Sequence, residues 1–268
     1  MSHYYNEDAD ACHTITGANG KERATTLRDA KKHGWYPSVS TILGILDKPG
    51  LLNWKYRQIT DACLLNDDLY NACADPEMYN KIIIKEAFDK VKDAQDVGTQ
   101  IHAALENYFS GKKIDPLEIV ELPDAKKAPM RTFVDSVEYW VDKNKVEFDA
   151  CELRLVNTTE GYAGTTDAAI TKEGTRGLLD FKSTKTKEGV KVKPYPEQVI
   201  QLAAYHIAHY GEIRTTDFAV NVYISTTEPG RVEATYYTSE ELVAAYYEAF
   251  RPLCQAWQYL KKYKPGKS

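Results

Sequence analysis

The sequence predicts a mixed α/β protein, in which helices flank a central β-sheet that contains both parallel and antiparallel strands. Strand-like segments occupy residues 150–182 and 217–238, and a strongly helical segment lies between them at 196–210. The N-terminal part of the chain is mostly helical in pattern. We therefore expect one core over residues 94–268, with a helical N-terminal cover over residues 1–93 packed on it.

The composition is that of an ordinary folded protein. The chain has 268 residues, of which 43% are hydrophobic and 27% are charged, and these values argue against fibrous proteins and intrinsic disorder. Its 34 basic and 39 acidic residues give a net charge of −5. This balance argues against a protein that coats duplex nucleic acid, although one local basic channel is compatible with it.

The patterning also argues against a membrane or exported protein. The apolar stretches are far shorter than the roughly 20 residues of a membrane-spanning helix, and the acidic N-terminus does not resemble a targeting signal. The cysteines are scattered without a CxxC pair, which predicts free thiols, a cytoplasmic setting and no cysteine-ligated metal site. They are Cys12, Cys63, Cys73, Cys151 and Cys254.

The N-terminal half predicts helices after a polar start. Residues 1–35 are polar, and we expect them to be irregular or peripheral. Residues 37–93 contain short helical segments, and a Pro-Gly pair predicts a turn between the first two. A longer helix is expected over Ala94–Phe109, and another over Pro129–Lys143, where apolar residues recur at helical spacing.

The remaining elements follow in the order strand, strand, strand, helix, strand, strand, helix. The last helix is expected to begin after Thr238, with Ser239 as its N-cap. The preceding helix is expected over Pro196–Tyr210. The expected strands cover residues 150–157, 161–172, 176–182, 217–225 and 231–238.

Two aspartates on consecutive strands carry the strongest chemical signal. A hairpin that folds symmetrically about Glu173-Gly174 brings Asp167 and Asp180 directly opposite each other, with Cβ atoms about 4.5–5.5 Å apart. Carboxylates so placed repel each other unless a cation lies between them, and hard divalent cations prefer such ligands. Lys182 projects from the same face as Asp180. A surface salt-bridge cluster explains the same residues equally well.

Two helices carry further polar residues at regular spacing. His102 and Glu106 lie four residues apart beside an apolar stripe, where a single histidine is more often a packing residue than a ligand. Gln198, Gln201 and Tyr205 line one flank of the helix over 196–210. By itself this second pattern is typical of an amphipathic surface helix.

The order of four motifs resembles a known nuclease family. The series GTxxHxxLE, GYAGTTD, LLDFK and QLAAY resembles the RecB-like branch of the PD-(D/E)XK nucleases, and is similar to phage-type exonucleases and to the mitochondrial genome maintenance exonuclease group. The segment YPSVSTILGILDKPGLLNWK resembles the N-terminal signature of that group. The resemblance covers residues 36–210 and implies a restriction-endonuclease-like core.

This resemblance implies a set of metal-binding residues. His102 corresponds to a helix-borne ligand, and Asp167 and Asp180 to the central carboxylates. Phe181 corresponds to the residue whose backbone carbonyl meets the metal, and Lys182 to the catalytic lysine. The implied cofactor is one or two Mg²⁺ or Mn²⁺ ions, and an imidazole ligand is compatible with Mn²⁺.

Other positions match supporting roles. Gln201 and Tyr205 match a QxxxY helix that orients the site and the DNA backbone. Glu106 matches a residue behind the ligands, and Glu152 matches either such a residue or an exposed strand position. Gly161 and Gly164 match the turn and the close approach before the first aspartate.

The implied activity is hydrolysis of phosphodiester bonds by a metal-dependent DNA exonuclease that favours single strands or ends and leaves 5′-phosphates. Lys182 would position or deprotonate the attacking water. Only Cys254 follows the core, so we expect no iron–sulfur cluster. The sequence contains no GxxxxGK[ST] loop, so we expect no nucleotide cofactor and no motor. A role in phage-type replication, recombination or repair follows, with a recombination or replication protein as a candidate partner.

The residues after Lys182 form the candidate path for DNA. Ser183 and Thr184 offer hydroxyls, and several lysines precede Lys193 with a single acid among them, so the segment either binds phosphates or is a solvated flexible loop. Trp54 either stacks on unpaired bases or packs between helices. The lysines are Lys185, Lys187 and Lys191.

Two other functions are compatible with the same residues. A structure-specific endonuclease would use the same catalytic core. A DNA-end-binding recombination accessory without catalysis would not need all of His102, Asp167, Asp180 and Lys182, so the presence of these residues argues against it.

Overall fold

A central five-stranded sheet organises the part of the chain that the computed structural model describes, which is residues 3–66, 69, 75–113, 115, 118–122 and 127–266, without the side chains of residues 89–96. The strands are β7 (Val146–Asn157), β8 (Tyr162–Lys172), β9 (Thr175–Thr184), β10 (Phe218–Ser225) and β11 (Val232–Tyr237). Their order across the sheet is β11-β10-β9-β8-β7. All neighbours are antiparallel except β9 and β10, which are parallel.

Helices cover both faces of this sheet, and short strand pairs lie outside it. The helices are α1 (Leu27–His33), α2 (Val39–Leu43), α3 (Pro49–Leu65), α4 (Pro76–Phe109), α5 (Met130–Asn144), α6 (Pro196–Tyr210), α7 (Ser239–Ala244) and α8 (Arg251–Lys261), with a π-helical turn over Ala245–Phe250. The short strands are β1 (Tyr4–Tyr5), β2 (Thr14–Thr16), β3 (Glu22–Ala24), β4 (Tyr36–Pro37), β5 (Ile119–Glu121) and β6 (Lys127–Pro129).

Side chains alternate between the two faces of the sheet, so the hydrophobic core has two parts, one on each face. Leu179 packs with α4 and α5 on one face, and its neighbour Leu178 packs with α2, α6 and α7 on the other. Strands with both faces buried read as apolar runs, which β10 illustrates. Because parallel strands cannot be joined by a tight turn, α6 serves as the crossover from β9 to β10. These observations confirm the expected fold class, a mixed central sheet flanked by helices.

The β8–β9 hairpin has the expected register. Lys172 pairs with Thr175 across a two-residue turn, and Ala168 pairs with Leu179. Glu173 and Gly174 both have positive φ, 50° and 78°, which is the turn conformation whose twist matches that of antiparallel strands. The turn therefore determines which residues of the two strands face each other.

The N-terminal residues are more regular than their composition predicts. Strand β1 pairs with β4, and Tyr4 and Tyr5 are buried. Helix α1 begins with a capping box in which Thr26 and Asp29 exchange hydrogen bonds. The expectation of an irregular segment over residues 1–35 is therefore wrong, because tyrosine burial and local capping stabilise elements within a polar stretch.

Three element boundaries also differ from expectation. The helical segments before and after residue 93 form the single helix α4, because Gly98 alone does not end a helix. The N-cap of α7 is Thr238, whose hydroxyl accepts from Glu241 N, whereas Ser239 donates to Thr215 O. Strand β7 begins at Val146, before the expected residue 150, and continues through a bulge near Phe148.

Within the described residues, none of the helices is both long and apolar enough to span a membrane. The described cysteines Cys12, Cys63, Cys151 and Cys254 are free thiols, and Cys73 lies outside the described residues.

Candidate active site

The candidate site lies where β8 and β9 diverge. Their backbone ladder runs from Lys172–Thr175 to Ala168–Leu179 and ends one pair before the two aspartates. Beyond it, Asp167 Oδ2 accepts a hydrogen bond from Phe181 N at 2.5 Å. A carboxylate thus replaces the carbonyl that a regular ladder would offer, and the strands separate around it.

The sheet also reverses its faces at this point. Ala168 packs in the core with α4 and α5, whereas Tyr162, an even number of residues earlier, packs in the core with α6. Strict alternation would place both residues on one face. On the neighbouring strand, Glu152 has φ +49° at the position opposite Asp167. This irregularity allows Asp167 to approach α4 while Asp180 lies toward α6.

A continuous chain of hydrogen bonds extends from Asp180 into α6. Lys182 Nζ lies 2.6 Å from Asp180 Oδ2 and 3.3 Å from Gln201 Oε1. Gln201 Nε2 in turn donates to Tyr205 OH at 3.1 Å. Four residues that the sequence singled out are therefore linked, because α6 places Gln201 and Tyr205 one turn apart on the side that faces β9.

His102 reaches the site from the opposite side of the sheet. Its Nδ1 lies 3.8 Å from Asp167 Oδ2, and its ring stands edge-on to that of Phe181, with centroids 6.3 Å apart. Burial lowers the pKa of His102, although the Asp180 charge acts in the other direction. A neutral imidazole is the form that binds metals.

The carboxyl groups of Asp167 and Asp180 act on each other electrostatically. Burial raises the pKa of Asp167 well above its usual range, and the Asp180 charge raises it further. Burial lowers the pKa of Lys182, but Asp180 and, to a smaller extent, Asp167 and Tyr223 act in the other direction, so the net shift is upward. One ammonium group thus serves two carboxylates, which is the electrostatic setting that favours an added cation.

Glu106 on α4 and Glu152 on β7 are acidic side chains that influence each other beside the candidate site. Burial raises the pKa of Glu152, and the Glu106 charge adds to the effect. The Glu152 charge also contributes to the raised pKa of Asp167. Glu152 is therefore an electrostatic neighbour of Asp167, and Glu106 is a neighbour of Glu152.

The donor set suits a hard divalent cation. Two carboxylates and a neutral imidazole meet where the pairing between β8 and β9 stops, and oxygen with one nitrogen is a combination that Mg²⁺ and Mn²⁺ accept. Asp180 already accepts from Lys182 and Asn221, and Asp167 from Phe181 N. Among the described residues, no three His, Cys, Asp or Glu side chains surround a common point at ligand spacing. The chemistry of the residues fits such an ion, while the described side chains are engaged with one another.

The structure explains why glycine is present at positions 161 and 164, before Asp167. A Cβ on Gly164 would lie 2.5 Å from the Tyr205 ring, so the close packing of β8 on α6 requires glycine there. Gly161 has φ +83° in the turn between β7 and β8. The tyrosine of the Gln201–Tyr205 pair therefore sits directly over the glycine of the motif.

Asn221 is a site residue that the sequence reasoning missed. It is fully buried on β10, and its Nδ2 donates to Asp180 Oδ2 at 2.9 Å. Its Oδ1 accepts from Tyr237 OH at 3.1 Å. The sequence signal for this residue is a single amide within the apolar run FAVNVYIS. A polar side chain that is buried in such a strand needs hydrogen-bond partners, which points to a specific role.

The segment after Lys182 is held by hydrogen bonds at both ends. Thr186 N donates to Thr227 Oγ1 at 2.9 Å, and Val192 N donates to Glu233 Oε2 at 3.0 Å. In between, Arg231 Nη1 donates to Lys187 O at 3.0 Å. These bonds argue against a freely flexible loop. The exposed side chains of the segment include Lys185, Lys187 and Lys191.

Ser183, Thr184 and Trp54, the other residues of the candidate DNA path, differ from one another in their surroundings. Ser183 Oγ is buried beside Gly98 and has no hydrogen-bond partner among the described residues. Thr184 uses its carbonyl to accept from Thr226 N, and its hydroxyl donates to Lys185 O. Trp54 is 37% exposed on α3, with its ring 6.5 Å from that of Phe88 on α4. Trp54 thus both packs between helices and presents part of its ring to solvent.

Comparisons with known proteins give distant similarities. No protein-family model and no curated protein matches the chain. The solved structure of SSO0001 is 19% identical with a TM-score of 0.28, and the match covers 48% of this chain and 56% of that one, so this chain spans just over half of SSO0001. The alkaline exonuclease LHK-Exo from Laribacter hongkongensis is 17% identical with a TM-score of 0.31, and the match covers 61% of this chain and 83% of that one. Its complex with dAMP gives 0.30 at the same identity and coverage. At these identities and TM-scores, the similarities assign neither a family nor an activity to this chain.

Proposed function

We propose that this protein is a metal-dependent deoxyribonuclease of the RecB-like PD-(D/E)XK type, an exonuclease that hydrolyses phosphodiester bonds at single-stranded or terminal DNA. The observation that carries the proposal is the meeting of Asp167, Asp180, Lys182 and His102 at the point where β8 and β9 separate. Two acids, a lysine and an imidazole at one strand fork form a site for phosphoryl chemistry.

The roles follow from position. Asp167, Asp180, His102 and the Phe181 carbonyl would hold Mg²⁺ or Mn²⁺, which when bound neutralises phosphate charge and lowers the pKa of a water. The Lys182 ammonium would orient the attacking water and offset charge that develops on the phosphate. Gln201 and Tyr205 hold Lys182 in place through the hydrogen-bond chain.

The basic segment supports DNA as the substrate. Lys185, Lys187 and Lys191 are exposed on backbone that is tied to the sheet and follows directly from Lys182. Exposed cations on a held segment bind a phosphate backbone with a smaller loss of conformational entropy than those on a free loop. The remaining acidic side chains can lie away from this path, so a net charge of −5 is compatible with local DNA binding.

The test compares linear and circular single-stranded DNA with Mg²⁺ and Mn²⁺ supplied separately. We expect degradation of the linear strand with at least one metal, no attack on circles, and loss of cleavage in Asp180→Asn. Asp142→Asn, an exposed position on α5, is the matched control and should cleave like the parent protein. Cleaved circles would replace the exonuclease assignment with an endonuclease, and no cleavage of either substrate would overturn the proposal.

A further inference from the structure

Arg154 is a cationic side chain on the edge strand β7. Arg154 is exposed and makes no hydrogen bond or ion pair with the residues that the structure describes. Glu152, two residues away on the same strand, likewise forms no ion pair with it within that part of the chain. The five N–H donors of the guanidinium are therefore available to a ligand.

The position of Arg154 next to Asp167 is defined by strand pairing. Arg154 pairs with Thr165 in the β7–β8 ladder, and Thr165 lies roughly 6.6 Å along β8 from Asp167. Opposed residues of an antiparallel pair have Cβ atoms about 4.5–5.5 Å apart and project from one face. Arg154 thus stands beside the strand that supplies the first aspartate.

Arg154 and Thr165 project from the face of the sheet on which His102 lies. Leu155 and Tyr162 pack in the core with α6, so the adjacent Arg154 and its partner Thr165 project from the other face, which α4 covers further along. Along β8, Thr165 and Asp167 are partly exposed and alternate with buried residues. A strip of partly exposed side chains therefore extends from Asp167 past Thr165 to the exposed Arg154.

The N-terminal strand orients a hydroxyl in this strip. Tyr5 OH and Thr165 Oγ1 share a hydrogen bond of 3.1 Å, and Tyr5 is held by burial of its ring with Tyr36 and Ala163. Burial raises the pKa of Tyr5, so the phenol stays neutral, and the Arg154 charge acts in the opposite direction. A guanidinium and a held hydroxyl in one place are the donors that bind phosphate oxygens.

We propose that Arg154, with the hydroxyl of Thr165 that Tyr5 positions, binds a phosphate of the nucleic-acid strand next to the one held at Asp167 and Asp180. This subsite rests on the proposed nuclease function. It requires the strand to cross β8 toward the edge of the sheet, while the basic segment after Lys182 takes up the strand on the other side.

The test measures binding of a fluorescent single-stranded oligonucleotide by anisotropy, with Ca²⁺ in place of Mg²⁺ and over a range of salt concentrations. Arg154→Gln should bind about tenfold more weakly, and the slope of log Kd against log salt should fall by about 0.7, the value for one phosphate contact on a single strand. Arg214→Gln, an exposed arginine paired with Glu212, removes the same charge and should leave both quantities unchanged.

Two further comparisons show which phosphate Arg154 binds and test the subsite separately from the proposed nuclease function. Equal losses with 5′-phosphorylated and 5′-hydroxyl oligonucleotides indicate an internal phosphate, and a loss confined to the former indicates a terminal one. The subsite would be overturned if Arg154→Gln kept the parental affinity and salt slope, or if Arg154→Gln and Arg214→Gln lost affinity equally. Either result would overturn the subsite even if the parent protein cleaves DNA. Binding that depends on Arg154 in a protein that does not cleave would overturn the nuclease and keep the subsite. Absence of binding by the parent protein would overturn both.

Discussion

The amide of Asn221 on β10 donates to Asp180 on β9 at 2.9 Å, across the parallel pair in which these two residues are register partners. The same side chain accepts from Tyr237 OH on β11. Asn221 therefore connects three strands through one fully buried side chain and fixes the orientation of the Asp180 carboxylate. A carboxylate held in this way is preorganised for the chemistry proposed for it.

Replacing Asn221 should weaken both the fold and the activity. Asn221→Ala leaves Asp180 and the Tyr237 hydroxyl with one partner fewer, which should cost about 1–3 kcal/mol of unfolding free energy and lower kcat. Tyr237→Phe removes the bond to the Asn221 amide oxygen and the hydrogen bond shared with the Tyr223 hydroxyl, but it leaves the bond from Asn221 to Asp180. It should therefore reduce stability with a smaller effect on kcat. Chemical denaturation and DNA cleavage measure the two quantities. Equal kcat in parent and Asn221→Ala would contradict the orienting role.

A methyl group at Gly164 should displace the Tyr205 ring. Its Cβ would lie 2.5 Å from the ring, and overpacking of this kind costs about 1–3 kcal/mol. The displaced ring should break the bond to Gln201, so kcat should fall in Gly164→Ala. Gly50→Ala places a methyl where nothing lies within 4 Å and should leave melting temperature and cleavage almost unchanged. A parental melting temperature for Gly164→Ala would show that the strand can move away from α6.

The buried His206 should make stability depend on pH. Burial lowers its pKa from the ordinary 6.5 to about 4, although Asp217, 3.5 Å away, acts in the other direction. Between these values the unfolded chain binds a proton that the folded chain does not bind, so the free energy of unfolding falls as the pH falls through this range. The loss should reach at most about 3 kcal/mol.

Denaturant unfolding at several pH values between roughly 7 and 4 measures this dependence. His206→Leu removes the titrating group, so its unfolding free energy should depend less on pH than that of the parent. His33→Gln, at an exposed position of α1, should retain the parental slope. A variant slope at position 206 that equals the parental one would assign the pH dependence to other groups.

Arg231 should control the accessibility of the basic segment. It donates to the carbonyls of Lys187 and Val190 and forms ion pairs with Glu228 and Glu233. Arg231→Ala removes these contacts, so trypsin should cleave after the lysines of this segment faster than in the parent, by about tenfold for a loss near 1.4 kcal/mol. Mass spectrometry of the early fragments locates the cuts. Arg214→Gln is the control, and unchanged cleavage in Arg231→Ala would show that the threonine contacts suffice.

Sequence alone determined the local parts of this protein. The apolar alternation predicted β8 and β9, and the Glu173-Gly174 turn determined their register, because a two-residue turn admits one pairing of the strands that follow it. Helix α6 matched its expected bounds, since both its first proline and the glycine after it are strong boundary signals.

Only the tertiary structure decided which distant residues meet at the site. Asn221 reaches Asp180 across 41 positions of the chain, and Tyr5 reaches Thr165 across 160. Neither contact follows from spacing, because each depends on strand order, on the crossover through α6 and on the docking of β1 at the sheet. The reversal of faces at Glu152 and Asp167 also lies beyond a period-two pattern. Periodicity describes regular backbone, whereas this candidate site is built where the ladder between two strands stops.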